Sequence, residues 1–167
     1  GSSGMNVRRL GAEDLDILKQ LRLTSLRLEP DNYASDYDDW AAKNDDAWRV
    51  YLDEPVFAAF DNTRAIGILG LIPQTKTRMA HRASLGMVWV APEARGMGAA
   101  ALLLRAAIDH ARSLGVDQLE LSVNAENARA VRFYQRHGFD AYGRLPRGFR
   151  TSKGFVDDLL MARRIDP

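Results

Sequence analysis

Apolar positions recur along this chain with two rhythms, and each change of rhythm marks an element. Val7 to Leu10 reads as a short strand. Leu15, Leu18, Leu21 and Leu28, with Ile17 and Leu26 beside them, then fall at helical spacing. Gly11-Ala12-Glu13-Asp14 opens that helix with acids where the dipole favours them, and Pro30 stops it. Asn44 is placed to cap a short helix, Asp45 to Leu52, with Trp48 and Leu52 on one face and Pro55 beyond its end. Val56 to Phe60 and Ala65 to Ile72 are apolar runs parted by Asp61-Asn62-Thr63-Arg64, a hairpin signal with its turn at the Asp-Asn pair. Ala80 to Val90 reads as a third strand of the same meander.

The second half is more regular. Ala100, Leu103, Leu104, Ala107, Ile108 and Ala111 share a helical face, and Gly115 closes the helix. Leu119, Leu121 and Val123 alternate with Gln118, Glu120 and Ser122, the rhythm of a half-buried strand. Asn127 caps a further helix, Ala128 to His137, which stops at Gly138. Phe139 to Leu145 and Phe155 to Arg163 read as the last two strands. The helix from Gly98 to Leu114 joins two strands by a crossover and so makes them parallel, while the remaining connections are antiparallel. The expected fold is α/β with a mixed, mostly antiparallel sheet of about seven strands and about four helices on its faces. Gly1 to Gly4 reads as a cloning remnant, and residues 5–167 as a single domain without repeat or linker.

Composition narrows the chemistry. Hydrophobic residues make up 46% and charged residues 27%, which excludes a disordered chain or a disulfide-stapled mini-protein. Without cysteine there is no thiol nucleophile or thiolate metal site, and no metal is expected. Charges of 23 basic and 22 acidic residues nearly cancel, which argues against a nucleic-acid partner. No apolar run approaches the ~20 residues needed to span a bilayer, so the expected setting is cytoplasmic, away from membranes.

The segment Val88-Trp89-Val90-Ala91-Pro92-Glu93-Ala94-Arg95-Gly96-Met97-Gly98-Ala99-Ala100 carries the strongest chemical signal. A strand ends, a turn with two glycines follows, and a helix begins with small residues. Glycine lets backbone N–H groups approach an anion, and the helix start adds free donors and a positive dipole end. These are the parts of a pyrophosphate cradle, to which Arg95 adds a charged donor at the lip. Read alone, the segment is equally an ordinary tight turn. Gly96-x-Gly98-x-x-Ala101 also matches a loose dinucleotide fingerprint, but five residues separate it from the strand end and a meander precedes it, which is the wrong context. A P-loop is excluded because no Gly-Lys-Ser/Thr follows.

Arg95, Gly98 and Ala100 fill the fixed positions of the acetyl-CoA signature of the GNAT superfamily of N-acetyltransferases, which the segment resembles. Leu119 to Asn124 followed by Asn127 to Phe139 is similar to that family's second motif, with Asn at the helix start, Tyr seven residues later and a closing Gly-Phe. The opening around Arg9-Leu10, the acidic stretch ending in Trp48 and the closing Asp157 to Met161 extend the likeness over nearly the whole chain.

The resemblance implies a bulged strand that splays from its neighbour, with pantetheine in the gap against Val88, Trp89 and Val90. It implies that Arg95, Gly96, Met97, Gly98, Ala99 and Ala100 hold the pyrophosphate, that Asn127 touches pantetheine or its water shell, and that Tyr134 sits by the thioester sulfur. An amine then attacks the acetyl group directly, a backbone N–H holds the oxyanion, and Tyr134 is the candidate general acid. Acetyl-CoA is the implied co-substrate, an amine the acceptor, and a homodimer is open to the chain. Many family members carry a Glu on the signature strand, whereas Ala83 to Val88 offers none. His81, Glu29, Asp157 and a water chain past Asn124 and Ser84 remain as candidate bases, and a non-catalytic acyl-CoA-binding module remains as a second reading. The acids from Glu29 to Trp48, interleaved with Tyr33, Tyr37 and Trp40, suggest a cationic acceptor, against the plainer reading of a solvated face.

Overall fold

In the computed structural model, which describes residues 4–167, seven strands form one sheet in the order β1-β2-β3-β4-β5-β7-β6. Its strands are β1 (Met5–Arg9), β2 (Val56–Asp61), β3 (Arg64–Pro73), β4 (Arg82–Val90), β5 (Gln118–Asn124), β6 (Asp140–Thr151) and β7 (Gly154–Arg164). Five α-helices accompany them, one more than expected: α1 (Leu15–Leu28), α2 (Tyr37–Ala41), α3 (Asp45–Arg49), α4 (Ala99–Ser113) and α5 (Ala128–Arg136). Residues 1–3 of the expected remnant lie outside the described residues, while Gly4 accepts a hydrogen bond from the Asn62 N–H.

The crossover through α4 makes β4 and β5 parallel, and every other pair is antiparallel. Five consecutive residues of β2, Val56 to Phe60, are buried. Since alternate residues point to opposite faces, both faces of the sheet are covered there. α4 packs across β1 to β4, with Leu103 against Gly67 of β3. α1 also packs on β3 and carries α2 and α3 against it. Leu15, Leu18, Leu21 and Leu26 enter the core, but Leu28 is exposed at the end of its helix.

Several local expectations change. The first hairpin turns at Asn62-Thr63 rather than Asp61-Asn62, because Asp61 still pairs with Arg64 and Asn62 takes the left-handed backbone at φ 56. The helix after Asn44 ends at Arg49 and tightens into a 3-10 turn over Val50–Asp53. Asn44 does cap it, its Oδ1 accepting from Ala47 N at 2.9 Å. β6 runs six residues past its expected end at Leu145, and the register breaks between Leu145 and Phe149 around Pro146 and the positive-φ Arg147.

Candidate active site

The site begins where two parallel strands part. β4 and β5 pair only through Arg82–Gln118, Ala83–Leu119 and Ser84–Glu120. A bidentate ion pair closes this joined end, Arg82 Nη2 donating to Glu120 Oε1 at 2.7 Å and Arg82 Nε to Oε2 at 2.5 Å. Beyond Ser84 the strands diverge. On its other edge β4 carries a bulge: Gly86 faces Gly70 and Trp89 faces Ile68, so Met87 and Val88 stand opposite Leu69 alone. Met87 sits at φ 56 to make that kink. The outer edge of Leu85 to Val90 is therefore a strand edge with no β5 ladder, open to an added strand.

The gap opens onto the start of α4. Gly96 and Gly98 lie at φ 87 and 86, a backbone that glycine adopts freely, and nothing stands within 4 Å of where a Cβ would be on either. Among the described residues, no protein acceptor takes the N–H of Gly96, Gly98, Ala99 or Ala100. The donors, the open space and the helix start together fit a pyrophosphate.

α5 forms the opposite wall. Asn127 Oδ1 accepts from Ala130 N at 3.3 Å and so caps this helix. Ala130, Phe133, Tyr134 and His137 recur at helical spacing and all face the cavity. Tyr134 is 6% exposed, its ring edge-on to Phe133 and Phe139 at 5.4 and 5.6 Å between centroids. It is thus both a core aromatic and a wall residue. Burial pushes ionisation of its phenol upward, which keeps the hydroxyl protonated and able to donate. Burial also lowers the His137 pKa, with Arg136 and Arg163 adding to the effect.

These elements enclose a cavity of about 440 Å³, with a smaller chamber of about 100 Å³ beside it. Of the residues expected to bind cofactor, Val88, Trp89, Val90, Arg95, Gly96, Gly98, Ala99, Ala100, Asn127 and Tyr134 all line the larger cavity. Met97 is outside that lining and 39% exposed. Val88, Asn127 and Tyr134 also border the smaller chamber, where Leu85, Met87, Leu121 and Val123 supply an apolar wall.

Glu29 reorganises the expected electrostatics. Its Oε1 accepts from Arg95 Nη2 at 2.6 Å and from Arg129 Nη2 at 3.3 Å, and its Oε2 from Trp89 Nε1 at 2.6 Å. Arg95 is therefore turned onto Glu29 rather than free at the lip, and backbone N–H groups are left as the donors of the cradle. Among the candidate bases only Glu29 lines the cavity, and it already carries three donors. The Asp157 carboxyl is bound by Arg147 N and Arg144 at 3.1 Å each, and these hold it below the usual carboxylate range. His81 is exposed in the loop before β4. Asn124 donates to Asp31 O at 2.9 Å, so it is already engaged.

The acidic stretch does not form a cavity wall. Asp36 caps α2, Asp45 pairs with Lys19, Asp46 pairs with Arg49, and Glu29 is the one acid of the stretch among the lining residues. Tyr37 is exposed, and Trp40 packs on Trp48 and Tyr51. Tyr33 does reach the site and lines both chambers.

Comparison with known proteins gives the family and the fold. The acetyltransferase (GNAT) family profile matches residues 20–139. N-alpha-acetyltransferase 30 of Schizosaccharomyces pombe is 33% identical over 91 residues, 54% of this chain and 61% of the relative. An L-amino acid N-acetyltransferase of Escherichia coli is 31% identical over 99 residues, 59% and 60% of the two chains. The chain thus spans about three fifths of the length of these curated relatives. Among solved structures, an acetyltransferase of the GNAT family from Streptococcus pneumoniae superimposes with a TM-score of 0.84 at 25% identity, covering 97% of this chain and 99% of that one. YncA of Salmonella typhimurium, a putative acetyltransferase solved with its cofactor acetyl-CoA, shares the fold with a TM-score of 0.78 at 19% identity, covering 98% and 95%.

Proposed function

Since the chain belongs to the acetyltransferase (GNAT) family, we propose that residues 5–167 form one N-acetyltransferase domain that moves an acetyl group from acetyl-CoA to a primary amine. One observation carries the reading: the unpaired edge of β4, the residues with free N–H groups at the start of α4, and Tyr134 all border a single cavity. Acetyl-CoA, as substrate, supplies an activated thioester. Val88 to Val90 would pair with its pantetheine amides, and Gly96 to Ala100 would take its pyrophosphate through backbone N–H groups. Asn127, already capping α5, borders the path between them. The amine attacks the thioester carbonyl, whose developing oxyanion is stabilised by a hydrogen bond donated by a backbone N–H of the splayed strand. Tyr134 gives its proton to the leaving thiolate and recovers one from solvent or from the amine.

Melting experiments test the binding step. At 100 times its dissociation constant a ligand adds about 2.7 kcal/mol, or about 5–10 °C for a chain of this size. Acetyl-CoA is expected to give that shift and NAD none; stabilisation by NAD alone would overturn the reading. Free-thiol release with a panel of amines then separates turnover from binding without chemistry.

The amine is placed in the smaller chamber, beside Tyr134, and that chamber has no charged side chain among its lining residues. With saturating acetyl-CoA, kcat/KM for the best amine should therefore stay flat as ionic strength rises. A steep fall would restore steering by the acids of the Glu29 to Trp48 stretch.

A further inference from the structure

We infer that the 3-10 turn Pro30–Asn32, with Tyr33 after it, is a clasp across the β4/β5 gap that sets the gap's width and thereby which acyl thioesters it admits. The inference rests on the acetyltransferase reading for the identity of the ligand, though not for the clasp itself.

The turn is bonded to both lips of the gap. On the β4 side, Tyr33 Oη donates to Val88 O at 2.9 Å, on the first residue after the positive-φ Met87. On the β5 side, Asn124 Nδ2 donates to Asp31 O at 2.9 Å. Asn124 is itself fixed, because its Oδ1 accepts from Glu126 N at 2.9 Å. The turn is tethered a third time at the β6–β7 hairpin, where the Asp31 carboxylate accepts from Ser152 N at 3.0 Å and Ser152 Oγ at 2.6 Å.

A strand pair with no ladder has nothing of its own to fix its separation. Beyond Ser84 there is no β4–β5 pairing, and the clasp is the bonded connection that spans the lips at the level of Val88 and Asn124. Tyr33, Asn32 and Val88 border both chambers, together with Tyr134, so the clasp lies at the junction where the acyl group would sit.

The Tyr33 ring has an unusual support. The Arg22 guanidinium is 5.2 Å from its centroid and 4.5 Å from that of Trp40. Arg22 is only 4% exposed, and among the described residues its Nε and Nη1 have no hydrogen-bond partner. A buried cation with no paired anion among the described residues is held here by ring faces, an arrangement that gains strength when desolvated. It fixes the ring plane, while the hydroxyl fixes the strand. Burial, with the Glu29 charge adding to it, pushes Tyr33 ionisation upward and preserves the donor. Phenylalanine would keep the stacking and lose the bond, so Tyr33→Phe isolates the clasp. Asn124→Asp removes the donor at the other lip and keeps the acceptor, but it also places a charge at a buried position, so Y33F is the variant that decides.

Three readouts test the clasp. In the free protein, hydrogen–deuterium exchange of the Val88 to Val90 amides should quicken about 10-fold in Y33F, with the melting temperature within about 2 °C of wild type. Acetyl-CoA affinity, measured by calorimetry, should fall about 10-fold in Y33F and N124D. The ratio of kcat/KM for acetyl-CoA over butyryl-CoA should narrow at least 5-fold, an effect that lost stability alone does not produce. Folded Y33F with wild-type exchange at Val88 to Val90 and an unchanged ratio would overturn the inference. If wild type binds no acetyl-CoA, the functional reading fails while the exchange measurement still decides the clasp.

Discussion

Gly98→Ala should lower acetyl-CoA affinity about 100-fold or more, while Gly115→Ala leaves it unchanged. The two glycines make a matched pair. They flank α4 at its two ends, at φ 86 and φ 80, and neither has an atom within 4 Å of where a Cβ would stand. Forcing an L-residue into that backbone costs each variant about 1–2 kcal/mol of stability, so folding is weakened equally. Only Gly98 stands among the unpaired N–H groups of the candidate cradle. There a methyl group occupies the space through which phosphate oxygens approach the backbone. Calorimetry on both variants, with melting curves as the control for folding, makes the comparison. Equal binding by the two would mean that the pyrophosphate lies elsewhere.

Tyr134→Phe should cut kcat by about 100-fold with little change in the affinity for acetyl-CoA. The size is that of a general acid withdrawn from a leaving group. The ring is enclosed by Phe133 and Phe139, and phenylalanine fills the same volume, so the core contribution survives. Because burial raises the phenol's pKa, its ionisation should not produce an alkaline fall in rate below about pH 10. Single-turnover rates across pH check both statements. Unchanged kcat in the variant would leave Tyr134 a core residue and move the proton to water.

What the sequence made legible was local. Two glycines between a strand and a small-residue helix point to a cradle because the backbone angles and helix-end donors are local properties. Tyr134 lines the cavity with Ala130, Phe133 and His137, which share its helical spacing, a signal that could also have placed those three in the wall. α2 escaped because five residues are too few for a period, although Asp36 before Asp39 is a capping signal that was there to read. The far end of β6 escaped because it is a mostly exposed edge strand broken at Pro146 and Arg147, so alternation is absent.

What stayed out of reach was tertiary. Arg95 belongs to Glu29, 66 residues away in the chain, and Tyr33 to Val88, 55 residues away. Neither partner is announced by spacing. The acidic stretch looked like a cleft wall because a run of one sign has the same appearance whether it lines a pocket or caps short helices. Only the packing of α1, α2 and α3 decides which acids turn outward.

The divergence of β4 and β5 also bears on how such a protein can change over time. A void of about 440 Å³ carved into a packed interior would cost about 10 kcal/mol at ~24 cal/mol per Å³, comparable to the entire stability of a domain. Here the room comes from two strands drawing apart while each keeps its other edge paired, β4 to β3 and β5 to β7. Nothing has been removed from the core to make it. Of the wall positions, Leu85, Leu121 and Val123 are also buried in the core and held by its packing, while half-buried Met87 has more room to change shape. The cradle end is tied to the backbone of two glycines and a helix start, whereas the smaller chamber is shaped by side chains, so a change there reshapes the gap without touching the cradle.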